Sequence, residues 1–218
     1  MSAIAELGIA CESCHGPAQE HVRLNRSPLR RYALHAAGGG DPSIVNPARL
    51  GPVESASVCG RCHAVHPPAD DGPGAQAFRP GDRLDAHLDL EAVFALVEAT
   101  RDRADLGELP DGARETVSAF WSDGSVRVAG REYSGLLRSP CHTAGGMTCT
   151  DCHRMHGSNP DGQLDPQRIG DAMCSGCHAE IAADPEAHSR HPVGGPGGAC
   201  VDCHMPYSSY GLLGATRS

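Results

Sequence analysis

Ten of the eleven cysteines in this 218-residue chain fall in pairs of one form, and a histidine directly follows each pair. The five stretches are Cys11-Glu12-Ser13-Cys14-His15, Cys59-Gly60-Arg61-Cys62-His63, Cys149-Thr150-Asp151-Cys152-His153, Cys174-Ser175-Gly176-Cys177-His178 and Cys200-Val201-Asp202-Cys203-His204. Cys-x-x-Cys-His is the attachment signature of c-type haem: two thiols become thioethers to the porphyrin, and the adjacent imidazole is placed to bind the iron. A bare Cys-x-x-Cys would also suit half a zinc site or a thioredoxin-like redox pair. With 13 His in 218 residues, five chance placements after the second Cys have odds of roughly one in a million. Zinc ligation has no use for a His fixed at that position. The residues therefore imply five covalently attached haem c groups, with His15, His63, His153, His178 and His204 as proximal ligands.

Eight histidines lie outside the motifs: His21, His35, His66, His87, His142, His156, His188 and His191. Five irons need at most five distal ligands, so four or five of the eight are expected on iron; a Cys- and His-rich composition reads as metal binding. Methionine is the competing ligand and would raise the potential. Met147, Met155, Met173 and Met205 each sit within or beside a motif and are expected to pack against their own haem. Two imidazoles per iron is the resulting expectation. Cys141 is the odd thiol, either a small buried residue, a half of an intermolecular disulfide, or a ligand.

The elements that must position these groups are poor in large apolar side chains. Leu, Ile, Val and Phe make up 36 of 218 residues and aromatics 4%, a level at which burial alone does not offset the entropy of ordering a chain. Porphyrins would supply the missing apolar surface, so the expected fold is mainly α with much irregular coil, haems forming the core and one small β-hairpin. Without haem the chain is expected to be largely unfolded. Net charge is −9 and every one of the 18 basic residues is Arg, which makes nucleic acid an unsuitable partner. No run of about 20 apolar residues offers a membrane span. Covalent haem implies assembly outside the cytoplasm, so the protein is expected to be periplasmic or extracellular. The ten residues before Cys11 are too short for an export signal, which is expected to have been removed or to lie outside a fragment.

Along the chain, three segments are expected: residues 1–69 with two motifs, a motif-free insert over 70–135, and residues 136–218 with three motifs, together one compact unit. Gly16-Pro17 should open a helix carrying His21 and Val22. The four arginines between Arg23 and Arg31 read as a solvated face or a propionate-binding patch, and Gly38-Gly39-Gly40-Asp41-Pro42 ends any helix before it. Ser55 or Ser57 should cap a short helix through the second motif, stopping at Pro67-Pro68. Asp70-Asp71-Gly72-Pro73-Gly74 is linker-like. Leu88, Ala92, Ala95, Leu96 and Ala99 recur at helical spacing and predict an amphipathic helix over 86–104. Phe120 to Val128 predicts a hairpin turning at Asp123-Gly124, with essentially no other sheet. The insert reads as a cover over haem edges, or as a partner-docking or substrate-access element.

The run Ala10 to Pro17 followed by Glu20-His21-Val22, and the run Gly146 to His153 with His156-Gly157 behind it, resemble multihaem cytochromes related to cytochrome c554 and hydroxylamine oxidoreductase. So does His191-Pro192 ahead of Cys200 to Pro206, a piece also similar to pentahaem nitrite reductase. Bacterial multihaem cytochromes often joined to tetratricopeptide repeats are a further likeness, over both motif-bearing ends and the insert only loosely. The resemblance implies that His21, His156 and His191 are distal ligands to haems other than their nearest one; His142 and His188, which it does not fix, complete the distal candidates. The nitrite reductases use a Lys as proximal ligand of the catalytic haem, and this chain has no Lys. Relatives continue past the position of Ser218 into a His, so one haem here is expected to recruit His35, His66, His87 or a partner chain. The expected function is electron transfer between redox proteins, either other cytochromes or a quinol-linked donor. The alternatives are an oxidoreductase acting on a small nitrogen or sulfur compound at one open haem, and a subunit self-associating into an extracellular cytochrome polymer.

Overall fold

The computed structural model describes residues 9–67, 78–103, 105–157, 162–209 and 215–217. Its regular structure is short helices separated by coil. Four of the described α-helices begin where a capping residue stands before proline: Ser27-Pro28, Gly51-Pro52, Ser139-Pro140 and Asp184-Pro185. Proline fits the first helical position because its missing N–H has no helical partner there. In three of the four, the capping side chain accepts a backbone N–H: Ser27 Oγ from Arg30, Ser139 Oγ from Cys141 and Asp184 Oδ1 from Ala187. No helix among the described residues is long and apolar enough to cross a membrane.

The expected helix behind the first motif is present as Gln19–Leu24 and carries His21 and Val22, although it starts at Gln19 rather than at Pro17. The glycine run does follow a helix end, that of Pro28–Ala36. The helix through the second motif is longer than expected, Pro52–His63, and begins at Gly51-Pro52. Ser55 and Ser57 lie inside it and are buried. Ser57 Oγ accepts the Leu84 N–H at 3.0 Å and meets the Tyr133 hydroxyl at 3.4 Å, so it ties the helix to the insert instead of capping it. The linker-like run 70–74 and Pro68 lie outside the described residues.

In the insert the helix spans Leu90–Thr100, opened by Asp89 Oδ1 accepting the Ala92 N–H at 2.9 Å. Its buried face is Leu90, Val93, Val97 and Thr100, while Ala92, Ala95 and Ala99 point outward. The alanines match helical spacing as well as the valines do, but β-branched Val93 and Val97 remove more apolar surface from water and take the core. The turn at Asp123-Gly124 forms as expected. Trp121 N–H donates to Ser125 O at 2.8 Å, Gly124 takes φ +85°, and pairing extends to one bridge, Phe120–Val126. An additional antiparallel ribbon pairs Tyr207–Ser209 with Ala215–Arg217; these short segments carry no apolar alternation that would announce them.

The apolar core lies in the middle of the chain. One cluster joins Ala56, Ala64, Phe78, Leu84, Leu88, Leu90 and Tyr133; a second joins Val65, Val93, Val97, Ala119 and Phe120. The insert is therefore more than a cover, since it supplies most of both clusters to the second-motif helix. Outside residues 55–134, His142 is the one residue among the described buried hydrophobic and polar side chains. Both motif-bearing ends instead expose large apolar groups, among them Ile9, Leu29, Tyr32, Ile169 and Val193.

Candidate haem centres

The motifs sit at short helices, helix ends and tight turns. Cys11–His15 and Cys200–His204 are single helical turns, the second motif closes the helix Pro52–His63, the third opens with the 3-10 turn Cys149–Asp151, and the fourth begins inside Ala172–Ser175 and runs past its end. None of the eleven cysteines is joined to another in a disulfide. No three His, Cys, Asp or Glu side chains among the described residues gather where they could hold a metal ion. A structural zinc needs four such ligands, whereas haem iron takes four nitrogens from the porphyrin and asks the protein for only two.

Two such pairs are present. The rings of His15 and His156 have centroids 6.0 Å apart and planes 16° from parallel. Those of His188 and His204 are also 6.0 Å apart, with planes 15° from parallel. Ordinary offset aromatic packing covers this range of distances. Yet an imidazole nitrogen binds a metal at about 2 Å, so two rings on opposite sides of one iron have centroids roughly 6 Å apart once the ring radii are added. Each pair joins one motif histidine to one histidine from outside the motifs. The residues present thus fit the group: thiol pairs to attach it and imidazole pairs spaced to span its metal.

The remaining candidates show how their rings are held. His15 Nδ1 donates to Val45 O at 2.7 Å, His153 Nδ1 to Gly162 O at 2.8 Å and His142 Nδ1 to Met147 O at 2.7 Å. A carbonyl can only accept, so each of these rings carries its proton on Nδ1 and offers the Nε2 lone pair. His63 Nδ1 lies 3.0 Å from Glu132 Oε2. His21 Nδ1 lies 3.2 Å from Asp41 Oδ2. His87 differs: its Nε2 faces Asp82 Oδ2 at 3.3 Å, so its outer nitrogen is already engaged. Burial, with the Arg131 charge next, pushes the His66 imidazole below its usual range. His191 packs its ring against Gly197, where a Cβ would come within 3.3 Å. Sequence reasoning found every one of these histidines; what it could not supply was the partners of His15 and His204, which fold together from distant positions.

The thiols lie in sequence order through space. Burial first, then the nearby Cys59 and Cys62, raise the Cys14 thiol. Cys59 and Cys149 share a hydrogen bond that lowers Cys59, to about 7, and raises Cys149. Cys152 lies near Cys174 and Cys177, and Cys174 bonds Cys200. Each motif thus neighbours the next. Asp171 Oδ1 fixes the start of the last motif by accepting the Cys200 N–H at 2.8 Å. Cys141 is exposed and near Cys174, so it is not the buried small residue that was one expectation for it.

Short helices, much coil and repeated Cys-x-x-Cys-His motifs are the features of a multihaem c-type cytochrome. Residues 140–183 match the family model described as a doubled CXXCH motif, which covers the third and fourth motifs. The multiheme cytochrome MtrA of Shewanella baltica (strain OS185) is 25% identical over 184 residues, which is 79% of this chain and 43% of that protein. The chain therefore spans less than half the length of this relative. No solved structure matches. Motifs and likenesses together support a multihaem c-type cytochrome with covalently bound haem c, and electron transfer as its general function.

Proposed function

We propose that this chain is a five-haem electron-transfer unit of the kind found in the cytochrome c554 and hydroxylamine oxidoreductase group. In this reading Cys11/Cys14, Cys59/Cys62, Cys149/Cys152, Cys174/Cys177 and Cys200/Cys203 each hold one haem c, and the three segments 1–69, 70–135 and 136–218 work as one unit. Haem iron supplies the one-electron chemistry, while the chain ligates it, spaces the centres and tunes them through axial ligands, burial and charge. His156 serves the first motif and His188 the fifth, leaving His21, His142 and His191 for the irons of His63, His153 and His178. The distal count then equals the motif count, so every iron has two imidazoles and none is left open for substrate.

The single observation that carries the reading is the spatial succession of the thiols in sequence order, Cys14 beside Cys59, Cys59 beside Cys149, Cys152 beside Cys174 and Cys174 beside Cys200. Centres attached in that order form a row, and a row passes electrons from one end to the other. Its partners are redox proteins met outside the cytoplasm, such as another cytochrome or a quinol-linked donor, and its compartment the periplasm or the cell exterior. Intact-mass measurement of the matured chain should show five covalent haems, and replacing Cys174 and Cys177 by Ala should remove one. Bound zinc, or fewer haems in fully matured protein, overturns the proposal.

A further inference from the structure

The Nδ1 atoms of the motif histidines are not all treated alike. His15 and His153 donate Nδ1–H to uncharged backbone carbonyls, Val45 O and Gly162 O. His63 faces a carboxylate, with Glu132 Oε2 at 3.0 Å. That carboxylate is fixed at its other end, because Glu132 Oε1 accepts the Gly130 N–H at 2.8 Å. The neighbouring Arg131 donates to Cys62 O at 2.8 Å, which ties the same turn to the backbone of the second motif. Two consecutive residues of the insert, Arg131 and Glu132, thus converge on one motif, and the half-exposed contact between Glu132 and His63 ties the insert to the end of the helix Pro52–His63.

We propose that Glu132 is a positioning residue that tunes the second haem, holding it at a lower reduction potential than a carbonyl-anchored imidazole would. The physical argument is short. A carboxylate accepting Nδ1–H draws the proton toward itself and leaves more electron density on the ring. A more basic imidazole donates more strongly through Nε2 and stabilises ferric over ferrous iron, and hydrogen bonding to axial ligands is an established lever on haem potential. The effect is local to His63, because the Nδ1 anchors of His15 and His153 are uncharged backbone carbonyls. The row of centres would then contain a step at its second position, a place where an electron is held less readily than at the first or third.

This inference rests on the second motif carrying haem, and the test separates the two. Glu132→Gln keeps an acceptor oxygen and the side-chain length but removes the charge; Glu132→Asp keeps the charge and withdraws it by one methylene. Both are compared with the parent by intact mass, by potentiometric titration followed in the visible spectrum, and by electron paramagnetic resonance of the oxidised protein. Five haems by mass in all three establish that the reading beneath the inference holds; absence of haem from the second motif in the parent defeats that reading first. The expected result is a rise at one centre in Glu132→Gln of about tenfold in its ferrous-to-ferric ratio, about 59 mV for one electron, with altered g values for one low-spin species. Glu132→Asp should move the same centre in the same direction. The inference is overturned if Glu132→Gln leaves every midpoint where the parent has it, if all midpoints move together, or if no g values change.

Discussion

The imidazole of His15, at the end of the first motif, faces that of His156, three residues past the third motif, with 6.0 Å between ring centroids. Among the described residues the buried hydrophobic side chains belong to residues 56–133, so neither ring stands on a segment that supplies that core. One iron held by both would close a loop running from the N-terminal segment to the C-terminal one. By the logic of loop closure, a cross-link over so long a span restricts the unfolded chain far more than it strains the folded one.

Replacing His156 by Ala should therefore convert one haem in five from low to high spin and leave four unchanged, while the midpoint of thermal unfolding falls. His188→Ala should do the same to a different haem, the one attached beside His204, because that ring pair repeats the spacing of the first. The double variant should show two high-spin haems. Optical spectra of the oxidised proteins, with cyanide added to trap each open iron, provide the measurement. Spectra unchanged in both single variants would reduce the two ring pairs to aromatic packing.

The sequence announces the attachment points because haem ligation to Cys-x-x-Cys-His is local, settled within five residues. Helix starts are less legible: the helix expected at Gly16-Pro17 begins at Gln19, and the one through the second motif begins at Pro52 and not at Ser55 or Ser57. The sequence does not announce which face of Leu90–Thr100 is buried, because alanines and valines both recur at helical spacing and only packing against Phe120 and Val65 chooses between them. Nor does it reveal that Ser57 bonds Leu84 and Tyr133, a contact made across the insert. The pairing of His15 with His156 was implied by resemblance only as a ligand for some other haem. Naming the ring opposite it required the three-dimensional fold.

Gly60 shows how packing constrains a position that haem attachment leaves free. It is one of the two variable residues of the second motif, yet a Cβ there would come within 2.8 Å of the Tyr133 ring. Tyr133 is buried at the centre of the first core cluster. Gly60→Ala should leave haem attachment intact and destabilise the fold by about 1–3 kcal/mol, the usual cost of overpacking. In a Tyr133→Ala background the same change should cost little, because its obstacle is gone. Thermal melts of the four proteins of this cycle measure the coupling, and equal losses from Gly60→Ala in both backgrounds would contradict the contact.

The loop after Pro28–Ala36 supplies a pH-dependent test. Asp41 accepts from the Ser43 hydroxyl at 2.6 Å and the Ser43 N–H at 2.9 Å, from Asn25 Nδ2 at 2.5 Å and from Arg30 at 2.9 Å, and it sits 3.2 Å from His21 Nδ1. The Ser43 bonds, then Asn25 and the Arg30 charge, hold its carboxyl well below the ordinary range. A carboxylate with a depressed folded value contributes stability that is complete above the unfolded value of about 3.9 and is lost as pH falls toward the folded one. Asp41→Asn removes that contribution at neutral pH. The parent should accordingly melt higher than the variant above about pH 5, and the gap should narrow steadily below about pH 4. Melting temperatures of both proteins from pH 7 to pH 2 give the measurement. A gap that widens on acidification would mean that Asp41 is stabilised in its protonated form, against the donors that surround it.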